Sequence, residues 1–270
     1  MKKILIFFFL FLLFSLNNAI SQTDTSKLNI ISWNIQNFGR SKSELVDVIS
    51  YIASKVKFYD IVAVQEVSTS EFGAQAVAKL DDILDRTGSS WDYIVSYPTT
   101  GSGSERYAFL YKKHRVSLKF ADLEKSLQDS LNREPFKAVF LFKGQEYFLF
   151  NLHLVPTDKH PEIEAQKLGS LNKIYVGKKI ILMGDLNLSQ SSPGFNNLKK
   201  FTKPTLINKK TSLKMKDDGK SPMNMEYDNF FISTNINLTR SDVIEFWKDY
   251  KDLKSARKVS DHCPIYCIIK

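Results

Sequence analysis

Nine short apolar runs, each closed by turn residues or a polar break, set what this chain can fold into. Residues 28–34, 60–65, 91–96, 106–112, 136–142, 147–153, 179–186, 227–233 and 259–269 read as strands. Three helices are interspersed. One is predicted over 42–56, with Ser41 and Glu44 as a capping box and Leu45, Val48, Ile49, Ile52 and Val56 on one face. The others are predicted over 74–86 and over 162–175, the latter entered through Pro161. Strands outnumber the interspersed helices, so the expected class is α/β or α+β with two packed β-sheets. The polar stretch 189–221 reads as long surface loops.

Of the 270 residues, 25% are charged and 43% hydrophobic. That balance excludes a disordered chain, a collagen or a coiled-coil array. The N-terminus differs from the rest. Lys2 and Lys3 precede an apolar run from Ile4 to Leu16 that only Ser15 breaks, and Ala19 and Ser21 follow in a small-x-small pattern. This is the layout of a signal peptide over residues 1–21, short for a membrane span of about 20 residues. An uncleaved anchor is the other reading of the same run. The expectation is a secreted or periplasmic monomer without stable membrane insertion, and one domain over residues 22–270. Loss of the leader leaves 36 basic and 29 acidic side chains, a charge of about +7. Such an excess suits a polyanionic partner.

Cys263 and Cys267 are the chain's two cysteines. On one continuous strand they share a face about 13 Å apart, too far for a disulfide. Both are expected to be buried thiols.

Polar residues stand at the ends of the apolar runs. Asn34, Glu66, His153, Asp185 and Asn187 close four of them, and Asp228, Asp261 and His262 open two more. An Asp or Asn after a strand is often only a turn former. Two histidines, four carboxylates and two amides at six run ends are harder to explain as turns. Phosphodiester hydrolysis needs an activated water, an acid for the leaving group and compensation of phosphate charge, and such a set can supply all three.

The motifs WNIQNFG (33–39), VQEV (64–67), SERYAFLY (104–111), REP (133–135), LHLVPTD (152–158), MGDLN (183–187), YDNFFI (227–232) and SDHCPI (260–265) carry a resemblance. The chain resembles the endonuclease/exonuclease/phosphatase superfamily and, within it, the deoxyribonuclease I family. The resemblance implies an α/β/β/α four-layer sandwich and a Mg²⁺-dependent endonuclease acting on DNA with low sequence specificity, with Mn²⁺ as a substitute. It pairs His153 with Glu105 and His262 with Asp228, His262 activating water and His153 protonating the leaving oxygen. It makes Glu66 the metal ligand, with Asn34 and Asp261 completing or orienting the shell, matches Asp185 and Asn187 to residues that bind the phosphate and support the water or metal, and matches Arg133 to a phosphate-contacting arginine. For Arg133 a surface salt bridge with Glu134 is the competing reading. A structural Ca²⁺ would fall near Asp122, Glu124, Asp129 and Glu134.

The sequence also departs from that family. Gly103 stands where an aromatic residue enters the DNA minor groove, and Ser68 where an arginine does. The family's small disulfide is missing. Lys199, Lys200, Lys203, Lys209, Lys210, Lys214 and Lys216 could supply a non-specific grip instead. A phosphodiesterase acting on lipid head groups, like a sphingomyelinase, is the alternative. The basic, rather than apolar, character of the segment between MGDLN and YDNFFI disfavours it.

Overall fold

The computed structural model describes residues 24–270, so the leader assigned to residues 1–21 lies outside the described residues. Twelve strands follow in chain order: β1 Leu28–Phe38, β2 Ile61–Val67, β3 Trp91–Val95, β4 Arg106–Lys112, β5 Ser117–Leu123, β6 Phe136–Phe142, β7 Gln145–His153, β8 Lys179–Asp185, β9 Thr202–Pro204, β10 Asp228–Ser233, β11 Leu238–Val243 and β12 Ile265–Ile269. They form two six-stranded sheets, ordered β11-β12-β1-β2-β4-β3 and β5-β6-β7-β8-β10-β9. Each sheet is antiparallel except for one central parallel pair, β1 with β2 and β7 with β8.

The central strands are buried on both faces, which is why they read as unbroken apolar runs. Between the sheets, Ile30, Phe109, Phe140, Leu149, Ile181 and Phe230 form one core. On the outer face of the first sheet, Trp33, Val62 and Val64 pack against helices α2 (Val46–Val56) and α3 (Glu71–Asp85). On the outer face of the second, Phe150, Leu182 and Phe231 pack against Ala165, Leu168 and Phe195. Helix, sheet, sheet and helix thus stack as four layers, as the sequence led us to expect.

One polar bolt crosses the inter-sheet core. Gln65 Nε2 donates to Ser32 Oγ at 3.0 Å and to Asn151 Oδ1 at 2.6 Å. Asn151 Nδ2 in turn donates to the carbonyls of Val64 and Ala108 at 3.0 and 3.1 Å. This buried amide network ties the two sheets together, although Gln65 Oε1 is left buried without a partner.

Several local expectations are corrected. The helix predicted over 42–56 is two helices, α1 Arg40–Ser43 and α2, and neither carries the Ser41–Glu44 capping box. The first turn is diverted because Lys42 is drawn inward, its Nζ donating to the carbonyls of Ile35 at 2.8 Å and Val259 at 2.6 Å. The helix predicted over 162–175 is α4 Pro161–Lys167 and α5 Leu171–Ile174, parted by a 3₁₀ turn. There Gly169 packs so closely on Asn197 that an added Cβ would come within 2.5 Å of its Cβ. In the run 259–269 only Ile265–Ile269 is strand, since Pro264 has no N–H for the ladder. Cys263 and Cys267 are free and buried, but they point into two different cores rather than sharing a face. The unpredicted strands β5, β9 and β11 are all sheet edges, half exposed and without a clean period. The stretch 189–221 is no plain surface loop, as Phe195, Leu198, Leu206 and Leu213 are buried. Among the described residues, no helix is long and apolar enough to cross a membrane.

Gly184 marks where the parallel pair β7/β8 is tightest. Its φ is +140°, and a Cβ there would meet the Leu152 carbonyl oxygen at 1.9 Å. Gly184→Ala should therefore cost about 3 kcal/mol, read from urea unfolding. A loss under about 0.5 kcal/mol, typical of an unconstrained surface site, would contradict the close approach.

Candidate active site

The parallel pairs decide where the chemistry collects. Open sheets with parallel strands present their carboxyl ends as a common crevice. β1 and β2 bring Asn34 and Glu66 there, and β7 and β8 bring His153 and Asp185, which are register partners. Asp228 opens β10 directly opposite Asp185. His262 comes from the loop before β12. Its N–H donates to Ser260 Oγ at 3.0 Å, Ser260 Oγ donates to the Asn34 carbonyl at 2.6 Å, and Trp33 Nε1 donates to the His262 carbonyl at 2.7 Å.

Two histidine–carboxylate pairs result, both buried. His153 Nδ1 lies 2.9 Å from Glu105 Oε2, and His262 Nδ1 lies 2.8 Å from Asp228 Oδ2. The free Nε2 atoms converge, each 3.4 Å from Asp185 Oδ2. Asp185 also accepts from Asn34 Nδ2 at 3.1 Å and from the Asn187 N–H at 2.9 Å. Tyr227 stacks beside His262, with ring centroids 6.2 Å apart and planes 24° apart.

The electrostatics follow from this layout. Burial pushes both imidazoles toward neutrality, but the carboxylates win. Glu105 and Asp185 raise the His153 pKa, and Asp228 and Asp185 raise that of His262 well above its ordinary value. Burial also opposes the Asp185 charge, yet His262 and His153, with the Asn187 and Asn34 donors, hold its carboxyl below the usual range. Both rings have folded-state values above the unfolded one. Their stabilisation is thus complete below about 6.5 and is lost as pH rises through the raised values.

Three placements differ from the sequence-based expectation. Asp185 sits between the two imidazoles rather than standing open to a phosphate. Arg133 was expected to offer its fork to phosphate or to pair with Glu134 at the surface. It is buried, with Nε donating to the His153 carbonyl at 2.9 Å, one terminal nitrogen to the Leu154 carbonyl at 2.5 Å and the other 3.4 Å from Glu105 Oε2. Glu134 instead accepts from the Thr100 N–H at 3.0 Å and from its Oγ1 at 2.5 Å. Asn187 likewise turns its amide nitrogen to the Leu154 carbonyl, at 3.0 Å.

Candidate metal ligands were tested on their donors. Glu66 lines the open crevice and accepts from Asn34 Nδ2 at 2.8 Å and from the Asn37 N–H at 2.9 Å. Asn34 Oδ1 accepts from the Gln36 N–H at 2.9 Å while its Nδ2 donates to Glu66, so Asn34 orients the Glu66 carboxylate. Asp261 Oδ2 accepts from Gln36 Nε2 at 2.8 Å, while its Oδ1 is buried without a hydrogen-bond partner. The Glu66 and Asp261 carboxylates are hard oxygen donors of the kind a divalent cation takes, with Arg257 Nη2 also 3.6 Å from Asp261 Oδ2. Lys42 lies beneath them, its pKa lowered by burial to about 8 against the pull of Asp261 and Glu66. Among the described residues, one close group of three candidate ligand residues occurs, Asp185, Asp228 and His262. Those atoms already engage one another, so the group reads as a proton-holding cluster. The four acidic residues considered for Ca²⁺ do not converge. Glu124 binds Lys137 at 3.0 Å, Asp122 lies 3.8 Å from Lys125, Glu134 is held by Thr100, and Asp129 is exposed.

The loop lysines are dispersed. Lys209 pairs with Asp242 at 3.3 Å and Lys214 with Asp218 at 2.9 Å, while Lys200 lines a separate depression with Lys167 and Lys173. Sequence reasoning also missed supporting residues. Gln36, Lys42, Trp33, Ser260 and Tyr107, whose hydroxyl accepts from the His153 N–H at 3.2 Å, hold the site from behind. Trp33, Gln36, Tyr107 and Ser260 sit inside the quoted motifs, whereas nothing near Lys42 signals a buried ammonium.

Asp185→Asn is expected to lower the titration midpoints of both imidazoles in metal-free protein, read from ring-proton NMR against pH. Midpoints that stay in place would show that Asp185 does not carry the shift.

The sequence profile of the Endonuclease/Exonuclease/phosphatase family matches residues 31–262. Deoxyribonuclease-1 of Bos taurus is 35% identical over 179 residues, covering 59% of this chain and 60% of that protein, so the chain spans less than two thirds of it. Deoxyribonuclease gamma of Homo sapiens is 27% identical over 284 residues, covering 95% of this chain and 88% of that protein. Among solved structures, a mannosyl-6-phosphatase of Bacteroides thetaiotaomicron superposes with a TM-score of 0.67 at 20% identity, covering 90% of this chain and 99% of that one, a likeness of fold. With most of its described length matched, this chain belongs to the endonuclease/exonuclease/phosphatase family, on its deoxyribonuclease I branch.

Proposed function

We propose that the chain is an exported, divalent-metal-dependent endonuclease that hydrolyses DNA phosphodiester bonds with little sequence preference. One observation carries the reading: two buried histidine–carboxylate pairs whose free nitrogens face a common point, 3.4 Å on either side of Asp185. Hydrolysis needs a base and an acid on opposite sides of one phosphorus, and two such pairs supply both. The deoxyribonuclease relatives supply the substrate class, and the basic-then-apolar start of the sequence supports export.

In this reading His262 Nε2 takes a proton from the attacking water, and Asp228 steadies the imidazolium that forms. His153 Nε2 gives a proton to the leaving oxygen. Glu105 fixes its tautomer, and Arg133 holds that pair against the chain. Asp185 keeps the two rings facing each other and moderates their charge. Glu66 and Asp261 would hold Mg²⁺ or Mn²⁺, with Asn34 and Gln36 orienting them. Bound there, the cation would offset charge developing on the phosphate.

His153→Ala and His262→Ala should each lower plasmid nicking by at least about a hundredfold while leaving the circular-dichroism spectrum unchanged. A chelator should stop the wild type, with Mg²⁺ or Mn²⁺ restoring it. Cleavage of sphingomyelin with DNA left intact would overturn the reading. Rate should rise with pH as the base loses its proton. Asp228→Asn removes the charge that raises the His262 pKa, so the acidic limb of kcat/KM should move to lower pH while the plateau falls. A limb that does not move would remove His262 from the base role.

A further inference from the structure

The crevice beside His153 has a volume of about 740 Å³, and part of its lining lies beyond the residues the chemistry above uses. Glu66, Glu105 and His153 form its inner end, Ser68 and Gly103 its sides, and Arg40 and Phe72 stand on its wall. Gly103 has a φ of +74° and open space around it. Ser68 turns its hydroxyl to Ser70 Oγ, 2.9 Å away. Neither residue puts a side chain forward that could enter the groove of a duplex.

Arg40 is the unusual feature. Its guanidinium carbon lies 4.9 Å from the Phe72 ring centroid, and its Nε donates to Glu44 Oε1 at 2.7 Å. The aromatic face and the carboxylate together hold the cation, yet its side chain remains 61% exposed. An Arg plane held in this way offers a surface on which a nucleobase stacks, with N–H groups at its edge for phosphate. Bases inside a duplex already have both faces covered, so only an unpaired base has a face to offer. The crevice volume lies in the range of sites that enclose one small ligand.

Resting on the nuclease reading of the adjoining site, we infer that this crevice binds one unpaired nucleotide next to the scissile phosphate. Its base stacks on the Arg40–Phe72 pair, so the enzyme favours single-stranded or frayed DNA. Small side chains at positions 68 and 103 leave room for that nucleotide.

The test compares kcat/KM on a single-stranded oligonucleotide and on the same sequence closed into a hairpin duplex, using the secreted protein with Mg²⁺. Arg40→Ala and Phe72→Ala should each lower the single-strand to duplex ratio about tenfold. Arg40→Lys keeps the charge without the plane and should lower the ratio similarly. An unchanged ratio, or equal losses on both substrates as from a phosphate contact alone, overturns the inference. Wild type that cuts neither DNA overturns the nuclease reading instead. In that event fluorescence anisotropy decides the crevice separately. A short thymidine oligonucleotide should bind about tenfold tighter than its fully abasic counterpart, and Arg40→Ala should erase the difference. Equal binding of the two probes overturns the inference.

Discussion

A carboxylate buried between two imidazoles is tolerable only if each neighbouring charge is matched, and Asp185 is placed in that position. Removing the charge of either flanking ring would leave an ion poorly solvated in a low dielectric, a costly state. The surroundings meet this demand in layers. Glu105 and Asp228 balance the rings, Arg133 balances Glu105, and amide donors from Asn34 and Asn187 complete Asp185. Arg133 and Asn34 are drawn inward because the centre needs their donors. The histidines are therefore set in orientation before any substrate arrives, which is the preorganisation that acid–base chemistry exploits.

The strand-end residues were legible because the strands that carry them are buried on both faces. A polar break in a continuous apolar run stands out, and β4 and β6 match their predicted limits residue for residue. Legibility failed where a residue's role depends on a distant partner. Lys42 looks like a solvated helix residue, and only the approach of Ile35 and Val259 makes it a buried clamp. Arg133 looks like a free fork until the backbone turn after His153 is seen to occupy it. Asp185 reads as one acid among several, because register across β7, β8 and β10 is what sets it between the rings. The edge strands β5 and β11 escaped notice for the opposite reason, as they lack a well-buried face and so leave no period.

Charge in this molecule also needs a local reading. The basic excess suggested one lysine-rich grip, yet several of those lysines are paired with acids or directed at other depressions. The cations that matter near the crevice are few and held in place: Arg133 and Lys42 behind it, Arg40 beside it. Their value lies in position rather than number.

The polar bolt between the sheets has a consequence for how the site is assembled. Glu105 and His262 belong to the side of the first sheet, and His153, Asp185 and Asp228 to the second. Each histidine–carboxylate pair therefore joins one member from either layer, and so does the Asn34–Asp185 contact. No half of the molecule contains a complete pair. Neither pair exists until the two sheets have met, and Gln65 and Asn151 join the same two layers within the core.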